Sequence, residues 1–348
     1  MRNVVICIVL IAALAACENQ EQVFPDYELQ AVYFPIQLPV RTLSLGEDRI
    51  DNTLDREYRF DIGVSIGGMY ENKQDWTVDY VVDPSLTDSA YADDKFTTPL
   101  IVLPANYYTF SPQNTVTIPK GLFNGLIRIE LTDAFFNDPL SLTGQYVVPF
   151  RITGTSADSV LSGKQARPGV ADRRILEDWE SGKSPKDWVL YGIKYVNAYH
   201  GNYLHRGRDI LYAGGVPVDT VVFRNMYVER DMLIKLTSMG LQRVYTNGLA
   251  DKLSSTGKLS MELEFSNATG ASGSIVIHPR ASATVSVTGT GEYYDKSSST
   301  ESWTGLTWQS MYLEYTWDDG TNVHVVNDTL VFRDRGIKYE EHEIYIAQ

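Results

Sequence analysis

Residues 58–66 read YRFDIGVSI, and the alternation in this stretch decides the fold class. Tyr58, Phe60, Ile62, Val64 and Ile66 fall on one side of an extended chain, with Arg59, Asp61, Gly63 and Ser65 on the other. A period of two fits a half-buried strand, because successive strand side chains point to opposite faces. Similar short runs occupy residues 76–82, 115–118, 126–131 and 146–152. Between them stand Gly67-Gly68, Asp83-Pro84, Pro119-Lys120-Gly121 and Asn137-Asp138-Pro139, each of which disfavours continued strand. About seven short strands over roughly 130 residues fit an immunoglobulin-like β-sandwich, expected to span residues 24–161.

Residues 162–186 have fewer strand signals, contain Pro168 and Pro185 and mix both charges, and read as a linker with one short helical turn. A second β-rich domain is expected over 187–348. Its strands are read at 188–196, 220–224, 259–265, 274–278, 283–288, 311–317 and 323–333, and Trp317-Asp318-Asp319-Gly320 supplies a hairpin turn. Consecutive hairpins suggest an up-and-down barrel or a sandwich, so the whole chain reads as all-β. Residues 229–241 are the one stretch read as a helix.

The N-terminus combines Arg2, an uncharged apolar run over residues 4–14, and Leu14-Ala15-Ala16-Cys17. This is the three-part pattern of a secretion signal, and the run is shorter than the roughly 20 residues needed to cross a bilayer. The small residues before Cys17 resemble a bacterial lipobox. That resemblance implies removal of residues 1–16, a lipid on Cys17 and a tether over 17–23, with the membrane reached through the lipid alone. The alternative is an ordinary secretion signal that leaves Cys17 a thiol. With Cys7 in the signal and Cys17 acylated, the mature chain would hold no thiol, and neither a disulfide framework nor a cysteine metal site would be possible. The net charge of −14 is uneven: residues 17–165 carry −11 and residues 166–348 carry −4. Such charge opposes attraction to nucleic acid and to anionic headgroups, so neither is an expected partner.

Several blocks in order, including VYFPIQLPVRTLSLGED, LPANYYTFSPQNTVTIPKGLFNG and YVVPFRITGTSADSVLSGK, resemble an adhesin-like N-terminal domain common in Bacteroidetes lipoproteins. Relatives of that domain precede glycoside hydrolase family-eighteen domains or stand in lipoproteins encoded with starch-utilisation-like transporters. YGIKYVNAYHGNYLHRGRD is similar to an uncharacterised domain that follows the first in such proteins, and LEYTWDDGTNVHVVNDTLVFRDR resembles their lipocalin-like C-terminal domains. The resemblance implies a lipid-anchored outer-membrane protein of a polysaccharide-utilisation system, on the cell surface or the periplasmic face. It implies glycan as ligand and transporter components as partners.

The residues themselves argue against catalysis. The chitinase-like signature Asp-x-x-Asp-x-Asp-x-Glu and the Gly-x-Ser-x-Gly elbow are both absent. The five histidines, His200, His205, His278, His324 and His342, share no short motif, and Asp93-Asp94 and Asp318-Asp319-Gly320 lack calcium-loop spacing, so no metal or cofactor is expected. The positive hint is aromatic: five of six tryptophans follow residue 165, and sugar rings pack on aromatic faces. Tyr199, His200, Tyr203 and Arg206, in a stretch that reads as a loop, and Trp303 and Trp308, beside a Ser/Thr-rich run, are the expected ligand contacts. Tyr191, Tyr195 and Trp317 share strand parity with apolar neighbours and read as core. Two other functions stay open: a structural or adhesin-like protein docking to another outer-membrane protein, and a glycosidase with two carboxylates about 5–9.5 Å apart across a cleft.

Overall fold

A computed structural model describes residues 25–169, 171–247 and 259–347. The signal, Cys17 and the tether lie outside the described residues.

The expected alternation builds the first sheet. Phe60, Ile62, Val64 and Ile66 are buried on the strand Arg59–Gly67, while Tyr58 precedes it in a left-handed conformation, φ 62°. This strand pairs with Asn124–Leu131, setting Ile62 against Ile127, and Arg128 grips Asp61 across the pair at 2.8 and 2.9 Å. The sheet runs Ser159–Val160, Ala31–Tyr33, Arg59–Gly67, Asn124–Leu131, Tyr108–Ser111. Facing it is a second sheet, ordered Glu340–Glu341, Pro39–Ser44, Trp188–Val196, Tyr146–Thr155, Trp76–Val82, Thr115–Ile118. Val78, Tyr80, Val148 and Phe150 of the second sheet join Phe60, Ile62, Ile127 and Ile129 of the first in one core, which makes this part a sandwich.

The boundary expected at 187 falls elsewhere. Trp188–Val196 lies inside the sandwich, antiparallel to Tyr146–Thr155 and parallel to Pro39–Ser44. It is buried on both faces: Val189, Ile193 and Tyr195 enter the main core, and Trp188 and Leu190 pack with Leu86, Ala90 and Val147. At about 1.5–3 kcal/mol for each large apolar side chain buried, that placement anchors the strand in the sandwich. Residues 162–186 therefore do not bridge two domains. They fold onto the sandwich, with a short turn at Leu176–Asp178 and Arg174 donating to the carbonyls of Leu86 and Asp88.

The barrel-or-sandwich alternative resolves to a barrel. Eight strands, Gly201–Ala213, Met232–Ser238, Arg243–Thr246, Met261–Phe265, Gly273–Pro279, Val287–Tyr294, Ser310–Asp318 and Val323–Asp334, pair in sequence, and the last returns to the first with Tyr203 opposite Phe332. Eight strands leave an interior that side chains can fill. Leu263, Ile277, Leu313, Tyr315, Leu330 and Phe332 are among those that fill it. Gly291 makes the space, since a Cβ there would lie 2.5 Å from the Tyr312 carbonyl oxygen and 2.7 Å from Leu313 Cδ2. Trp317 is buried, stacked on His324 at 3.7 Å. An extra strand, Val216–Phe223, pairs among the described residues only with Gly201–Ala213 and forms an open edge there.

Two local expectations change. Residues 229–241 are not a helix: a single turn, Val228–Arg230, leads into the strand Met232–Ser238, whose Ile234 and Leu236 are buried while Leu233 and Lys235 are exposed. Residues 199–208 are not a loop, because most of them belong to the strand Gly201–Ala213. Their glycines are steric requirements, for a Cβ on Gly201 would lie 2.7 Å from the Asp334 carbonyl oxygen and one on Gly207 would collide with the Asp328 carboxylate.

Sandwich and barrel meet at a joint that the chain crosses twice. Asn197, fully buried, ties the outward crossing to the barrel rim by donating to the carbonyls of Gly240 and Arg243 at 2.7 and 2.8 Å. The return passes through Arg335, 2% exposed, which donates to the carbonyls of Ala198, His200 and Glu47, each at 2.7 Å. Gly46 is required here, since any Cβ would strike the Arg335 guanidinium. Residues 336–347 then run back over the sandwich, pairing Val40 with Glu340 and Tyr91 with Tyr345.

Candidate functional site

Most of the side chains expected to touch ligand are occupied by the protein itself. Tyr199 and Tyr203 are wholly buried: Tyr199 stacks on Phe265 at 3.5 Å and donates to Asn267, and Tyr203 packs against Phe332 and donates to the Tyr199 carbonyl at 2.8 Å. Strand parity explains Tyr203, since the odd-numbered positions from 203 to 209 face the barrel interior. Arg206 is held by the buried Asp231 at 2.6 Å. Trp303 and Trp308 stack on each other at 5.3 Å, and their indole N–H groups donate to the carbonyls of Phe332 and Trp303. Trp308 is buried and Trp303 half-buried, and each ring gives one face to the other. Rings that sequence reasoning gave to ligand went instead to the barrel's own core, because a small closed barrel must fill itself.

His200 is the exception. It is 7% exposed and lines a pocket at the joint. Its Nδ1 accepts the Ser238 N–H at 3.1 Å, which places the proton of the neutral ring on Nε2. Burial, with the charges of Lys235, Arg335 and Lys194, pushes its pKa down to about 3, so the ring is neutral at physiological pH. His205 is remote from it, inside the barrel, 2.9 Å from Asp328.

A groove of about 750 Å³ lies beside the same joint. One wall is the strand Pro39–Ser44 with the short helix Thr53–Arg56, and the other is the returning segment 334–339. Asp55, buried at the helix, accepts from the Ser44 N–H at 3.1 Å and from Arg41 at 2.5 Å, which fixes the guanidinium on the wall with its side chain still 44% exposed. Asn52 secures the loop by donating to the carbonyls of Ser44 and Gly46. Asp51 is held below the usual carboxylate range by the hydroxyl and backbone N–H of Thr53. Opposite, Tyr339 is 68% exposed, and the Glu341 carboxylate that accepts its phenol pushes its pKa up to about 12. Tyr191, stacked on Phe60 at 5.4 Å, belongs to the core as expected, and its free edge lines the groove. The arrangement can seat a neutral polar ligand: an exposed ring gives an apolar face, and Arg41, Asp48 and Asp334 give fixed donors and acceptors.

Sequence reasoning missed Arg41, Asp55 and Tyr339. The available signal was Ile337-Lys338-Tyr339-Glu340, where apolar and charged residues follow a finished strand with no turn to end the chain's course.

Among the described residues, no group of three or more His, Cys, Asp or Glu is placed to hold a metal ion, and no helix is long and apolar enough to cross a membrane.

A family model for an N-terminal domain matches residues 25–159, and one described as Domain of unknown function (DUF5627) matches residues 198–336. The second match begins one residue after Asn197, where the chain leaves the sandwich. A crystal structure of a Bacteroides ovatus protein of unknown function is 32% identical over 92% of this chain and all of that one, with a TM-score of 0.79. A second Bacteroides ovatus structure of unknown function is 16% identical over 91% of this chain and all of that one, at a TM-score of 0.40. A Bacteroides thetaiotaomicron VPI-5482 structure, described as an auxiliary nutrient binding protein, is 15% identical over 84% of this chain and 89% of that one, at 0.39. No curated protein matches.

Proposed function

The chain belongs to the family of the Bacteroides ovatus protein at 32% identity, and on that premise we propose that it is a non-catalytic outer-membrane lipoprotein that holds a glycan for uptake. The groove at the joint carries this reading. Its volume of about 750 Å³ falls within the roughly 300–1,000 Å³ of ligand pockets. Tyr339 offers a ring face to the C–H patches of a pyranose, and Arg41, pinned by Asp55, offers directed N–H groups to its hydroxyls. The lipid on Cys17 would hold the chain at the surface or the periplasmic face, beside starch-utilisation-like transporter components. A glycan array with the purified full chain tests the reading. Tyr339→Ala and Arg41→Ala are each expected to weaken binding roughly three- to tenfold. Binding indifferent to both changes would remove the groove from consideration.

A second reading, docking to another outer-membrane protein, draws on the open edge Val216–Phe223, where Val216, Val218 and Val222 are exposed. A partner's extended strand would add to that edge through main-chain hydrogen bonds. No glycan bound by the full chain, with binding to a purified transporter component abolished by Val218→Lys, would establish this reading over the first.

A further inference from the structure

The pocket that His200 lines is distinct from the groove, although Thr42, Gly336 and Ile337 border both. Its volume is about 180 Å³, many times the roughly 10–15 Å³ that one water needs. What sets it apart is the polarity of its lining.

His200 is more than nine-tenths buried, and its Nδ1 is taken by the Ser238 backbone N–H, with the Ser238 hydroxyl a further 3.3 Å contact. That hydroxyl already accepts from the Asn197 N–H at 2.9 Å, so its own proton is free to point at Nδ1. Both neighbours can thus donate to one ring nitrogen. Nε2 carries the proton and meets no protein acceptor among the described residues. The Thr42 hydroxyl, on the shared border, is also buried without a partner.

The charges agree in sign. Lys235 makes no ion pair among the described residues, and Lys194 is shared with a single carboxylate, Glu340, at 2.6 Å. Behind them, Arg335 is buried on three carbonyls with no carboxylate against it. In a chain of net charge −14, this corner holds more cation than anion. An N–H donor that opens into a pocket without a protein acceptor, set among cations, is an environment that an oxyanion completes.

We infer that this pocket binds a small oxyanion of the carboxylate or sulfate type, with His200 Nε2–H donating to it and Lys235 and Lys194 supplying the charge. The site does not depend on the groove holding a glycan. The anion is free in solution or is the acidic substituent of a sugar, and the experiment separates these two sources.

The experiment follows the His200 ring nitrogens by ¹⁵N NMR in the full chain while sulfate, acetate, glucuronate or glucose is added. Sulfate and acetate are expected to shift Nε2 saturably and glucose is not. A shift from glucuronate alone would make the source a sugar acid, and shifts from all three anions would make it a free anion. Lys235→Gln, a change at an exposed position, is expected to weaken anion binding about tenfold or more. Lys296→Gln, at the barrel end beside Trp308, is expected to leave it unchanged. No shift from any anion, or a shift that Lys235→Gln leaves untouched, would overturn the inference.

Discussion

The sandwich and the barrel each build an apolar core but treat polar groups in different ways. The sandwich core is apolar between its sheets, and its charged pairs, such as Arg128 with Asp61 and Arg151 with Asp83, sit toward solvent. The barrel carries two buried histidine–carboxylate pairs inside its wall, His205 with Asp328 at 2.9 Å and His324 with Asp209 at 2.6 Å. Tyr315 donates to Asp328 at 2.7 Å, and Asp319 reaches the far side of His324 at 3.3 Å. Packing dominates between the sheets of the sandwich, so volume decides the effect of a change in that core. In the barrel, partners decide it, because any buried polar atom left alone keeps its desolvation penalty.

Single core substitutions should separate the two regions most sharply. Asp328→Ala is expected to destabilise the barrel by about 3–5 kcal/mol, because it strands His205 and the Tyr315 hydroxyl. Ile127→Val in the sandwich core should cost only about 0.5–1.5 kcal/mol. Urea unfolding of each variant measures both, and equal losses would refute the contrast.

Glycines give a smaller test. Gly291→Ala forces a methyl group against Leu313 and should destabilise by about 1–3 kcal/mol. Gly63→Ala on the sandwich strand meets nothing within 4 Å and should change stability by less than about 0.5 kcal/mol, read from the same unfolding curves.

The smallest effect is a difference in sign with pH. Asp209 in the barrel has its carboxyl pKa raised, by burial first, so its folded state binds the proton more tightly than its unfolded state. Its contribution to stability is present below the unfolded value and fades as pH rises through the folded one. Asp138 in the sandwich has its pKa lowered, by the Tyr146 hydroxyl first and then by the Leu140 N–H, so its contribution is present above the unfolded value and fades as pH falls. As pH falls from neutral, the melting temperature should drop further in Asp209→Asn than in the parent chain and less far in Asp138→Asn.

Much of the architecture was legible because alternation is local. The runs at 58–66, 259–265 and 311–317 announced strands and the buried face of each, and Trp317 was correctly read as core. Strand partners were not legible. Trp188–Val196 alternates equally well beside a barrel or inside a sandwich, and its partners Tyr146–Thr155 and Pro39–Ser44, the second some 150 residues earlier, decide between them. The stretch from Tyr199 to Arg208 read as a loop because it holds two glycines and charged residues, when Gly207 is forced by the Asp328 carboxylate on the neighbouring strand. The groove was illegible for the same reason, since Arg41, Tyr191 and Tyr339 meet only after both crossings are made.

Those two crossings have a consequence for how the molecule comes apart. The barrel is spliced into the sandwich, entered through residues 197–200 and left through residues 334–340, and each crossing strand is stitched into the same sheet on either side of Pro39–Ser44. A protease that nicks one barrel loop would leave both fragments fastened, since each still ends in a strand of the sandwich. Shedding the barrel requires two cuts, one on each side of the joint, and a pull on it is shared between two seams.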